Sequence, residues 1–140
     1  MQTIVVAYDE TPPAKRALTR VAQLAKAFDA EVVVTSVAPL LHSSPRAIAQ
    51  VDPTDSLADH DAELAGARAF FEEQGITPEL VPATGDPATS IVRLAEERNA
   101  DLVVVGTREP GVVDRVLRQS VSQNVARHSR RDVLIVHPEH

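Results

Sequence analysis

The sequence predicts one doubly wound α/β domain, a five-stranded parallel sheet with helices on both faces. Three observations carry this. Short runs such as Ile4–Ala7, Glu31–Val37, Leu102–Val105 and Asp132–His137 are rich in β-branched residues and apolar almost throughout, as strands buried on both faces are. Between them lie segments whose apolar residues recur at helical spacing. The resulting order, βαβαβαβαβ, is that of parallel strands joined by helical crossovers.

Taken in order, Ile4–Ala7 gives the first strand, ending at Asp9. Thr11 then supplies an N-cap, with Pro12 and Pro13 in the first turn, where a missing N–H costs nothing. The helix carries apolar residues at Ala14, Ala17, Leu18, Val21, Leu24, Ala25 and Phe28 and closes at Asp29-Ala30. Glu31–Val37 is the second strand. Residues 38–57, with Pro39, Pro45 and Pro53, read as a long loop. From Ser56 the pattern is helical, and Gly75 sits where a C′ glycine belongs. Thr77–Pro82 is a third strand whose prolines assign it to a sheet edge. Gly85, Asp86 and Pro87 turn the chain into a third helix with Ile91, Val92, Leu94 and Ala95 on its apolar side and Asn99 near its end. Leu102–Val105 is the fourth strand, broken at Gly106. Ser120, with Gln123 three residues on, has the spacing of a capping box and predicts the start of the fourth helix. Asp132–His137 is the last strand, stopped by Pro138.

The 140 residues suit a single domain, and the net charge of -6 argues against a nucleic-acid partner, which would require clustered Lys and Arg. The absence of cysteine excludes disulfides, thiolate nucleophiles and Cys-ligated zinc, and the five histidines show no metal-ligand spacing. No segment approaches the roughly 20 apolar residues that span a bilayer, and the N-terminus lacks the features of a signal peptide, so the protein is expected in the cytoplasm, away from membranes. No nucleophile–base pair or pair of contrasting carboxylates marks an enzyme. The acidic residues Asp52, Asp55, Asp59, Asp61 and Glu63 read as a solvated helix face.

In such sheets ligands bind beyond the carboxyl ends of the strands, where the strand order reverses. With strands one and four adjacent there, Asp9 and Gly106 flank one crevice, and a helix N-terminus after strand four would offer unpaired N–H groups to an anion.

Three segments resemble the universal stress protein family across essentially the whole chain: IVVAYDETPPAKRAL, GDPATSIVRLAEERNADLVVVGT and SVSQNVARHSRRDVLIV. The resemblance implies a Rossmann-like sheet of order 3-2-1-4-5. In nucleotide-binding members the loop after strand four carries a glycine, two residues, a second glycine, nine residues, then glycine followed by Ser or Thr. Gly106 and Ser120 fit the ends of that pattern, while Glu109 and Gln119 stand at its second and third glycines. The resemblance assigns Asp9 a ribose or loop contact and Val37 the adenine edge. It gives Gly106, with Thr107 after it, and Ser120 and Val121 to the phosphates. Glu109 and Gln119 bring side chains, and Glu109 a negative charge, where a polyphosphate needs close backbone approach.

The resemblance also implies a homodimer in which Val133, Leu134, Ile135 and Val136 of strand five pair with a second copy, covering an edge that otherwise exposes backbone groups. The expectation is a homodimeric stress-response module that acts through protein partners without catalytic turnover, requires no cofactor, and has weakened or lost ATP binding. The alternative is a binder of ATP, ADP or AMP with a modified phosphate loop and slow ATP hydrolysis.

Overall fold

The computed structural model describes residues 1–8, 12–37, 53–83, 85–106 and 115–137. In chain order the elements are β1 (Thr3–Tyr8), α1 (Pro12–Phe28), β2 (Glu31–Val37), α2 (Pro53–Glu73), β3 (Glu79–Ala83), α3 (Pro87–Glu97), β4 (Leu102–Gly106), α4 (Arg115–His128) and β5 (Asp132–Val136). Every pairing is parallel and the strand order is β3-β2-β1-β4-β5, as expected. The proline-bearing β3 is one edge and β5 the other.

Alternation along the strands builds two apolar layers. Ile4, Val6, Val32, Val34, Leu102 and Val104 face α1 and α2, where they meet Ala17, Leu18, Val21 and Phe71. Val5, Val33, Val103 and Val105 face the other way, toward Ile91 and Leu94 of α3 and Val125 of α4. Aliphatic side chains fill both layers because the chain has few aromatics. Phe71 is the largest fully buried one, meeting Phe70 edge-on with ring centroids 5.3 Å apart.

Three helices end alike. Asp29, Gly75 and Asn99 adopt left-handed φ of 55°, 79° and 51°. The following amides reach back to helix carbonyls: Ala30 N to Ala25 O at 3.0 Å, Ile76 N to Phe71 O at 2.9 Å and Ala100 N to Ala95 O at 2.9 Å. This closure satisfies carbonyls at the helix ends and turns the chain toward the sheet. Two of the strands that follow are then pinned to the start of β1, Glu31 N donating to Gln2 O and Asp101 N to Thr3 O, both at 2.8 Å.

Beyond one-residue shifts at the ends of β1, β4 and β5, four boundaries or placements differ from expectation. α2 starts at Pro53 instead of Ser56, because proline suits the first helical position; the rest of the expected loop, 38–52, lies outside the described residues. β3 runs from Glu79 to Ala83 instead of from Thr77, since Ile76 is still engaged in closing α2. α4 begins at Arg115, so Ser120 lies in its second turn and does not cap it. Leu117, Arg118 and Gln119 are good helix formers and carry the helix upstream of the predicted capping box. Phe28, on the predicted apolar stripe of α1, is 53% exposed at the last helical position, and Ala22 takes a buried place instead.

Candidate functional site

The sheet has its switch point at β1, which pairs with β2 on one side and β4 on the other. α1, which follows β1, packs on one face, and α4, which follows β4, packs on the opposite one. Chain segments leaving neighbouring strands in opposite directions leave a crevice between them at the carboxyl end.

Val37 ends β2 and Gly106 ends β4, so two expected site residues flank the carboxyl end of β1, about 10 Å apart by the spacing of adjacent strands. Gly106 lies in register with Val136 of β5. Val121 is half-buried against the α3/α4-side core, which gives its side chain a packing role. Ser120 belongs to the α4 backbone. Asp9, Thr107 and Glu109 lie outside the described residues. With α4 starting at Arg115, the amides lacking a helical partner belong to its first turn, residues 115–118, which includes Arg115 and Arg118.

Sequence reasoning missed polar chemistry at the end of β2. The buried polar side chains among the described residues are Thr35, Ser36 and Ser122. Ser36, level with Tyr8 of β1, donates its hydroxyl to Glu63 Oε2 on α2, tying that helix to the strand end that carries Val37. Glu63 is half-buried and does not belong to the solvated face expected for it. The signal was present: Glu63 precedes Ala67 and Phe71 at four-residue intervals, and both of those are fully buried. Thr35 Oγ1 has no hydrogen-bond partner among the described residues.

Other charged groups have local structural partners. At the amino end of the sheet, Asp101 Oδ2 accepts from the amides of Gln2 (2.7 Å) and Thr3 (3.0 Å), which hold its carboxyl below the usual range. Arg98 forks onto Glu79, with Nη2–Oε1 at 2.7 Å, and lowers the Glu79 carboxyl chiefly through that hydrogen bond. Arg131 Nη2 reaches Glu96 Oε2 at 3.1 Å. At the carboxyl end Asp86 caps α3, its Oδ2 accepting from Thr89 N at 3.0 Å and Thr89 Oγ1 at 2.8 Å, and its carboxyl is lowered by those bonds, the backbone one first. No helix among the described residues is long and apolar enough to cross a membrane.

A parallel sheet of this order, with its switch point at the central strand β1 and helices on both faces, defines a Rossmann-like, doubly wound α/β protein. Over residues 1–137 the chain matches the Universal stress protein family, and it belongs to that family. A universal stress protein of Mycobacterium tuberculosis is 33% identical over 97% of this chain and 96% of its own length. A universal stress protein solved in complex with cAMP is also 33% identical, with a TM-score of 0.76, covering 99% of this chain and 98% of that one. The universal stress protein of Archaeoglobus fulgidus solved with dAMP, 22% identical, shares the fold at a TM-score of 0.74 over 97% of this chain and 98% of that one.

Proposed function

We propose that this protein is a cytoplasmic, homodimeric stress-response module whose crevice takes an adenine nucleotide bearing a single phosphate, AMP or cyclic AMP, and holds ATP weakly. The observation that carries the reading is the full-length likeness to a relative solved with cAMP, at 33% identity. Geometry supports it: Val37 and Gly106 flank the switch point, and the first turn of α4 follows β4. The six residues assigned to the crevice are Asp9, Val37, Gly106, Thr107, Ser120 and Val121. Glu109 and Gln119 replace glycines of the polyphosphate loop, so each phosphate beyond the first meets added bulk and the negative charge of Glu109. Such a module acts by binding and by contacts with partner proteins, without turnover. The half-buried Val133, Leu134 and Ile135 on the β5 edge support pairing with a second copy.

Calorimetric titration with AMP, cAMP, ADP and ATP tests the reading. Micromolar AMP or cAMP is expected, with ATP roughly tenfold or more weaker, a difference of about 1.4 kcal/mol. Glu109→Gly combined with Gln119→Gly should restore ATP affinity and leave AMP affinity within about twofold. Absence of all adenine-nucleotide binding would leave a module that works only through protein partners. ATP binding more tightly than AMP would reject the phosphate argument.

A further inference from the structure

Thr35 is fully buried, and its hydroxyl oxygen has no hydrogen-bond partner among the described residues. A buried hydroxyl without a partner is destabilising relative to a methyl group of the same shape. Valine would remove that penalty, and valine occupies the three positions before it in β2, Val32, Val33 and Val34. The described part of the unliganded fold offers the hydroxyl no partner that would account for it.

Its place in the sheet points to one. Thr35 is level with Val81 of β3 and Ala7 of β1, and continuing the β1–β4 register brings in Val105, which is level with Ile135 of β5. This row lies on the α3/α4 face, and Thr35 is its one polar member. Two residues further along each strand comes the row that contains Val37, so the hydroxyl lies roughly 6.6 Å beneath the mouth of the crevice, at the rise of two strand residues. Ala7, beside it on β1, has the smallest side chain of the row and is half-buried, so the floor is lowest under the switch point.

We propose that Thr35 is a base-recognition residue: its hydroxyl completes its hydrogen bonding with the polar edge of a purine that enters the crevice over Ala7. Rotation about χ1 can turn Oγ1 along the row toward Ala7, which is half-buried where Thr35 is fully buried. A hydroxyl both donates and accepts, so it suits an edge that presents a ring nitrogen beside an exocyclic amine, as the aminopurines do. The assignment rests on the nucleotide reading of the crevice. It adds a determinant for the base, distinct from the loop that receives the phosphate.

The test uses Thr35→Val and Thr35→Ser in the full chain. Without ligand, Thr35→Val should melt at the wild-type temperature or a few degrees higher. Its AMP dissociation constant should rise roughly three- to tenfold, and ribose 5-phosphate, which lacks the base, should bind the variant and wild type alike. Thr35→Ser, which keeps the hydroxyl, should stay within about twofold of wild type for AMP while losing some stability through the missing methyl. Wild-type AMP affinity in Thr35→Val overturns the assignment and leaves the nucleotide reading intact. A Thr35→Val protein less stable than wild type without ligand also overturns it, since the hydroxyl would then serve the fold itself. A wild type that binds no adenine nucleotide removes the reading of the crevice and this assignment together.

Discussion

Phe71→Ala, compared with Phe28→Ala, measures how firmly α2 holds the sheet. The two substitutions delete the same atoms at opposite degrees of burial, 0% exposed for Phe71 and 53% for Phe28. Phe71 packs in the α1/α2-side layer among Val32, Val34 and Ala67 and meets Phe70 edge-on at 77°. A buried phenyl ring removes on the order of 150–200 Å² from water, which at about 25 cal/mol per Å² is worth roughly 4–5 kcal/mol. Measured truncations of buried phenylalanine cost about 3–5 kcal/mol, in agreement. For 140 residues the unfolding entropy near the midpoint is about 0.3 kcal/mol per degree. Phe71→Ala should therefore melt roughly 10–17 °C below wild type, while Phe28→Ala stays within about 0.5 kcal/mol of it, as surface substitutions usually do. Urea titration followed by circular dichroism reads both changes, and an unchanged m-value establishes that the loss lies in stability. A loss below about 1 kcal/mol in Phe71→Ala would refute the packing of α2 against the core.

Two further outcomes follow from local features. Asp86→Ala removes the cap of α3 and should cost about 1 kcal/mol at neutral pH. Because the Thr89 bonds lower the folded-state pKa of Asp86, its contribution is complete above the unfolded carboxylate range and fades as pH falls through the folded value. The stability gap between wild type and variant should therefore narrow in acid; a gap independent of pH would contradict the capping role. For the proposed dimer, Leu134→Asp puts a charge on each copy at the β5 edge and should shift sedimentation to the monomer, with the circular dichroism spectrum retained. A wild type already monomeric at micromolar concentration would remove the pairing.

Legibility differed from element to element, for physical reasons. β1, β2 and β4 could be read directly because a strand covered on both faces is apolar through most of its length and leaves a run rich in β-branched residues. Helix ends were legible at Asp29, Gly75 and Asn99, since left-handed closure selects glycine or a short polar side chain. The start of α4 was not. Ser120 and Gln123 have capping-box spacing, but residues on either side of them favour helix and the box falls within it. The strand order came out as the resemblance implied, and it sets Gly106 at the end of β4 and Val37 at the end of β2 on either side of β1. Glu63 and Thr35 were obscure for a different reason. Whether a carboxylate meets Ser36, or a hydroxyl finds no partner among the described residues, depends on neighbours from other elements that the local pattern does not contain.

The ties at the amino end of the sheet have a consequence for how such a protein can vary. Asp101 on the amides of Gln2 and Thr3, Arg98 on Glu79, and the left-handed closures after α1, α2 and α3 all lie opposite the crevice. Sequence change at the mouth can proceed without disturbing them. The carboxyl end of the sheet can thus be re-lined residue by residue while the contacts that close the helices and seat the strand starts stay as they are.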